Sequence, residues 1–384
     1  MNVRRMLGSR PGLRRCAQRA RWVLGRIFMR CARRLGARND RVFFSSFKGG
    51  GYNDSPRAVS QALHDLCPTA QIVWQFLPGR GQEAPEYVRR VRAHSLRALW
   101  MIATAAALVD NFNRPHYMLK FSGQYLVQTW HGDRAFKKVL LDAFPDAPFP
   151  DGAQIDLAVA GSQYGLRQFR SAFGYKGEVL MEGLPRNDLL LSPPPGRREA
   201  VRRALGVDAR TRMLLYAPTF RDGTRGKKQP CAFDMEAALA RLAQATGQRW
   251  IAFVRGHEQN TGVECACATD VSAYPEMAEL LLAADMLITD YSSCAGDFLL
   301  TGRPVILYQE RTERYDRGLY FAVEDSPWRV ATSQQELFWW FDHLDGAAQN
   351  DRAVLKFYGA CETGRSAEAV ARRIAGRLEG TKKR

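Results

Sequence analysis

Five short stretches of this 384-residue chain could do chemistry on a phosphorylated molecule. In Gln128–Thr129–Trp130–His131–Gly132 an apolar run ends in a histidine beside a glycine, with Lys137 and Lys138 following. An imidazole presented there could act as a base near a phosphorylated ligand, although a His-Gly pair also suits a capped or solvated turn. In Phe253–Val254–Arg255–Gly256–His257 a second apolar run opens into an arginine and a histidine. A guanidinium offers phosphate oxygens a planar fork and the histidine could donate to the same group, while a plain surface Arg-x-His is the alternative. In Leu287–Ile288–Thr289–Asp290–Tyr291–Ser292–Ser293 hydroxyls gather where an apolar run gives way to a helical pattern over Cys294 to Leu300. Free N–H groups at a helix start favour a phosphate or diphosphate, and N-capping by Ser292 would use the same residues. Tyr216–Ala217–Pro218–Thr219–Phe220–Arg221–Asp222 and Glu182–Gly183–Leu184–Pro185–Arg186–Asn187–Asp188 each combine a proline, an arginine and an acid. Such mixtures can line a polar cleft and are also normal in loops.

The elements that would carry these stretches alternate between short apolar runs and helical patterns, which predicts an α/β fold with crossover helices. Strands are expected at Arg41–Phe47, Gln71–Leu77, Ala106–Phe112, Tyr125–Trp130, Ile155–Ala160, Val179–Glu182, Met213–Ala217, Arg249–Val254, Met286–Thr289 and Val305–Tyr308. Helices are expected at Ser55–Cys67, capped by Ser55 with Pro56 first, and at Arg197–Leu205, Asp234–Thr246 and Glu276–Ala284. Three prolines in Ser192–Pro193–Pro194–Pro195–Gly196 can continue neither a helix nor a central strand. They place a domain boundary there, giving an arm over 1–38, one Rossmann-like domain over 39–192 and another over 193–384. Two doubly wound domains facing a cleft would bind ligands at the carboxyl ends of their strands, where all five stretches fall.

Composition narrows the classes. Gly49–Gly50–Gly51 has neither the Walker nor the dinucleotide spacing, and the eight cysteines show no zinc-ligand pattern. No metal and no cofactor is therefore expected. The formal charge is +17, and twelve of the arginines lie within residues 1–38, before the first acid at Asp40. In that arm Leu13, Cys16, Ala20, Leu24, Ile27, Cys31 and Leu35 recur at the spacing of one helix face, with arginines largely elsewhere. An interfacial helix on an anionic membrane, a solvated helix packed on the body and an unstructured basic tail all fit. A nucleic-acid binder driven by the arm would leave the strand-end motifs unexplained, so no specific nucleic acid is expected. Arg26 and Arg30 interrupt the one candidate signal core, and no uncharged run is long enough to span a bilayer, which predicts a cytoplasmic protein.

From about Arg41 to about Gly318 the order of motifs resembles the CDP-glycerol glycerophosphotransferases of teichoic acid and related polymer synthesis. The resemblance rests on Trp130–His131–Gly132 with Lys137, Lys138 and Asp142, then Gly183 to Asp188, Tyr216 to Thr219, Arg255–Gly256–His257, and Ile288 to Ser293 with Asp297 and Phe298. It implies the two-domain glycosyltransferase-B architecture, with acceptor in the first domain and CDP donor in the second. It implies His131 as base on the acceptor hydroxyl and His257 at the diphosphate as CMP leaves. Trp130, Gly132, Asp133, Arg134, Arg186, Pro218, Thr219, Arg255, Gly256, Ser292, Ser293 and Asp297 would bind the donor. The implied partners are CDP-glycerol or CDP-ribitol and a lipid-linked saccharide or polymer acceptor, reached from the inner face of the membrane. A nucleotide-sugar glycosyltransferase of the same architecture is the alternative. Two departures stand out: Gly132–Asp133–Arg134 replaces the usual Gly-Thr-Pro, and Gly256 replaces the proline of Arg-Pro-His. The first would put a carboxylate and a guanidinium beside the proposed base.

Overall fold

Unbroken apolar runs mark strands covered on both faces, and such strands belong in parallel sheets. The computed structural model describes residues 11–115, 117–146, 151–219, 228–256, 262–309, 318–344 and 347–382. Its first six strands are β1 (Arg38–Ser45), β2 (Gln71–Phe76), β3 (Arg89–Arg92), β4 (Ala105–Asp110), β5 (Tyr125–Gln128) and β6 (Leu157–Val159), and they lie in the order β3-β2-β1-β4-β5-β6. Then come β7 (Glu178–Leu180), β8 (Thr211–Ala217), β9 (Gln229–Pro230), β10 (Arg249–Val254), β11 (Val263–Glu264), β12 (Ala268–Asp270), β13 (Met286–Thr289), β14 (Val305–Tyr308) and β15 (Val330–Ala331). The second sheet has the order β12-β10-β8-β13-β14-β15, while β9 pairs with β11. Counted along each sheet's own chain, both orders read third, second, first, fourth, fifth, sixth. That is the doubly wound Rossmann order, with switch points between β1 and β4 and between β8 and β13.

The second sheet shows how its sequence builds two cores. Met213, Leu215, Phe253, Leu287, Val305 and Leu307 face one side, and Leu214, Tyr216, Ala252, Val254, Met286, Ile288 and Ile306 face the other. This period of two comes from the strand pleat, and because both sides are apolar the alternation is invisible in the sequence. The chain divides into two compact units, one of Met1–Trp130, Pro150–Ala158 and Glu368–Arg384 and the other of His131–Phe149 and Val159–Ala367.

Several boundaries differ from expectation for local reasons. The helix predicted from Ser55 runs Asp54–Leu66 with Asn53 at the cap position, and the Asp54 carboxylate accepts from the Ser55 N–H at 2.7 Å. Strands β3, β12 and β15 went unpredicted because Arg89–Arg92 and Ala268–Asp270 are largely polar and Val330–Ala331 is two residues long. In the arm, helix Pro11–Arg34 buries Gly25, Met29 and Ala32 and lies along helix Leu96–Thr104, with Gly25 close to Leu99. The apolar stripe anticipated through Leu24, Ile27 and Leu35 is a different face, and it stays exposed at 66%, 50% and 75%. Among the described residues, no helix is long and apolar enough to cross a membrane.

Candidate functional site

Three strands of the second sheet deliver motifs to one carboxyl edge. Register pairs Val254 with Tyr216 and Thr289 with Ala217, so Arg255 comes level with Ala217 and Thr289, and Pro218 and Asp290 follow one residue on. The Arg255 N–H continues the ladder to Tyr216 O at 2.9 Å. Across the switch point, Asp290 accepts from the Thr219 N–H at 2.8 Å and from the Thr219 hydroxyl at 2.9 Å. Lys137 donates to the same hydroxyl at 3.0 Å, which brings an ammonium to the crevice where doubly wound sheets bind ligands. The lysine's own segment is pinned by the Tyr320 N–H on Phe136 O and by the Lys138 N–H on Gly318 O, at 2.9 and 3.1 Å. Asp142, just beyond, accepts from the Tyr320 and Ser171 hydroxyls, each at 2.7 Å.

His131 opens the second unit and is half-buried. Its carbonyl accepts from the Ser293 hydroxyl at 3.3 Å. Ser293 holds the cap position of helix Cys294–Phe298 without capping it by its side chain, whereas Ser292 Oγ accepts from the Cys294 N–H at 3.4 Å. The expected helix start is therefore one short turn whose hydroxyls are turned to neighbours, Ser293 toward the histidine loop. In the first unit Trp130, a buried aromatic, takes the left-handed φ of 51°. Gln128 holds it there by accepting from the Trp130 N–H at 2.9 Å, so strain of about 1–3 kcal/mol is stored one residue before His131.

Asp133, Arg134, Arg186 and Asp297 come together, but in the interior. Arg134, whose side chain is 0% exposed, donates to Asp297 at 3.0 Å, to Glu362 at 2.7 Å and to Gly161 O at 3.2 Å. Arg186 donates to the other Asp297 oxygen at 3.0 Å, and Asn187 bridges Asp297 and Glu362 at 3.0 and 2.8 Å. Asp133 accepts from the Gly161 N–H at 2.9 Å and the Ser162 hydroxyl at 2.5 Å. Burial pushes Asp297 up, yet Arg186 and Arg134 outweigh it and hold that carboxyl below the usual range. For Asp133 and Glu362 burial wins and both are raised. Burial by itself would lower Arg134, but the surrounding carboxylates, Glu362 foremost, raise it. The carboxylate and guanidinium that depart from the family pattern after Gly132 thus form part of a buried lattice under the histidine loop. Glu362 and Ser162, which complete it, belong to none of the five stretches, although Ser162 follows the expected strand Ile155–Ala160.

Gly256 has its own explanation. Its N–H donates to Ser272 Oγ at 2.8 Å and a Cβ there would lie 3.2 Å from the Gly262 backbone, so a proline would lose the bond and meet that backbone. His257, Phe220, Arg221 and Asp222 lie outside the described residues. Among the described residues, no group of three or more His, Cys, Asp or Glu is arranged to hold a metal ion.

The family model CDP-Glycerol:Poly(glycerophosphate) glycerophosphotransferase matches residues 27–376. The teichoic acid poly(glycerol phosphate) polymerase of Staphylococcus epidermidis is 28% identical over 332 residues, covering 80% of this chain and 46% of that protein. The protein of the same description from Bacillus spizizenii is 30% identical over 335 residues, covering 79% of this chain and 84% of its own. The chain spans about half the length of the first curated relatives it matches. A solved structure of the wall teichoic acid polymerase TagF, a variant soaked with CDPG, shares 24% identity and a TM-score of 0.79 over 90% of each chain, which shows a common fold. With nearly its whole length matched and both sheets in doubly wound order, this chain belongs to the CDP-glycerol:poly(glycerophosphate) glycerophosphotransferase family.

Proposed function

We propose that this chain transfers glycerol phosphate from CDP-glycerol to a hydroxyl of a lipid-linked, teichoic-acid-like acceptor and releases CMP. The observation that carries the reading is the carboxyl edge of the second sheet, where Lys137, Thr219, Asp290 and Arg255 gather at the switch point of a chain of this family. In this reading residues 193–384 take the CDP donor and residues 39–192 the acceptor. The acceptor oxygen bonds to the β-phosphorus as the bond from that phosphorus to the bridging oxygen breaks, and the acceptor proton passes to His131. His257 and Arg255 stabilise the charge that collects on CMP. Positioning and charge neutralisation do most of this work, as in other phosphoryl transfers.

The test is CMP release by the purified protein offered CDP-glycerol or CDP-ribitol with a lipid-linked saccharide. Acceptor-dependent CMP is expected, and it names the donor. Release of UDP or GDP from nucleotide sugars, with no CMP from either polyol donor, replaces the reading with a glycosyltransferase.

The arm supports a peripheral place on the inner face of the membrane. Its docked face is used up on helix Leu96–Thr104, while Val23, Leu24, Ile27 and Leu35 remain exposed among the exposed Arg19, Arg26, Arg30 and Arg34. Apolar insertion flanked by cations is the combination that binds anionic lipid. Leu24→Glu with Ile27→Glu is expected to weaken binding to phosphatidylglycerol vesicles about tenfold or more, since each side chain otherwise buries its apolar surface in lipid. Unchanged sedimentation with such vesicles removes the membrane proposal.

A further inference from the structure

Two motifs meet on one carboxylate that lies outside both, and a third joins them through Arg134. Glu362 Oε1 accepts from Arg134 at 2.7 Å and Asn187 at 2.8 Å, and Oε2 accepts from the Leu184 N–H at 2.9 Å. The side chain is 2% exposed. The backbone is shaped to admit it, because a Cβ at Gly161 or at Gly183 would lie 2.4 Å from a Glu362 carboxylate oxygen. Arg134 carries the constraint onward to Gly161 O and Asp297, and its stem fills the space over Gly296, where a Cβ would lie 2.8 Å from Arg134 Cβ. One side chain thereby ties the loop after His131, the turn of Leu184 to Asn187 and the helix that begins after Ser293. Buried ion pairs are poor stabilisers compared with apolar packing, so a lattice this deep calls for a role beyond stability.

We propose that Glu362 is a positioning residue for transfer: acting through Arg134, it fixes the loop that carries His131 at the reach the acceptor hydroxyl requires. This rests on the reading of His131 as the base. Glu362 touches no substrate in this scheme, so donor binding is left nearly intact when it changes.

Glu362→Gln keeps the volume and removes the charge that holds Arg134. Turnover per folded molecule is expected to fall about 100-fold, the scale of a catalytic group displaced by an ångström, with KM for CDP-glycerol within about threefold of the parent. Gly161→Ala, which presses on Glu362 Oε1 without removing it, is expected to give the same selective loss in kcat and decides the matter if Glu362→Gln does not fold. Unchanged kcat per folded molecule, a loss confined to the folded fraction, or a rise in KM alone overturns the proposal. His131→Ala run in parallel separates the two readings. If it is inactive while the Glu362 and Gly161 variants turn over normally, only the positioning role fails; if it turns over normally, both fail.

Discussion

His131→Ala is expected to lower acceptor-dependent CMP release by about 10²–10⁴-fold, the usual contribution of a positioned general base. The loss should fall on kcat. His131 is half-buried and its main chain is anchored through Ser293 Oγ on its carbonyl, a bond that alanine keeps. The residues that hold the loop from below, Asp133 and Arg134, are untouched by the change, so the fold and the donor edge at Thr219, Asp290 and Lys137 should persist. Donor affinity, read as binding of CDP-glycerol without acceptor, is expected to stay within about threefold, because the base meets the acceptor proton and not the nucleotide. Turnover within about twofold of the parent would mean that another group takes the proton and that the histidine only shapes its loop.

What the sequence discloses and what it hides divide along a physical line. Central strands were legible: Arg249–Val254, Met286–Thr289 and Val305–Tyr308 appear in the structure with the bounds that their unbroken apolar runs predict. Gly247 ends its helix in the left-handed conformation at φ 66°, as a glycine after a helical pattern should. The arm was legible as a helix but not in its orientation. Choosing between the Leu24 stripe and the Gly25–Met29–Ala32 face depends on helix Leu96–Thr104, far along the chain. The motif residues were visible by type, yet their partners were not. Arg134 and Asp133 were expected beside the proposed base and on the donor, and tertiary structure turns them inward onto Asp297, Ser162 and a glutamate 228 residues away. Side-chain pairs at such separations leave no periodicity for a sequence to show.

That inward lattice makes Arg134 the position where a single change should harm the fold most. Two guanidiniums, Arg134 and Arg186, face the carboxyls of Asp133, Asp297 and Glu362 in a region from which water is excluded. Arg134→Ala removes a side chain that reaches all three: Arg186 keeps its pair with Asp297, while Glu362, whose carboxyl burial already raises, loses its pair with Arg134. Breaking a buried pair from one side costs about 3–5 kcal/mol because the remaining charge is stranded. For a unit of this size that is a fall in Tm on the order of 10 °C, measurable by calorimetry or by recovery of soluble protein. Arg134→Ala combined with Glu362→Ala should lose less than the sum of the single changes, by about 1–3 kcal/mol, since the second substitution removes the carboxylate that the first one strands. Strict additivity, or a single-variant loss below about 1 kcal/mol, would show that water or a cation replaces the guanidinium and that the lattice is wetter than its geometry implies. The sign of the coupling is the more informative result, because general fragility of the loop would make the double variant at least as unstable as the sum, whereas only a direct charge interaction makes it more stable than that.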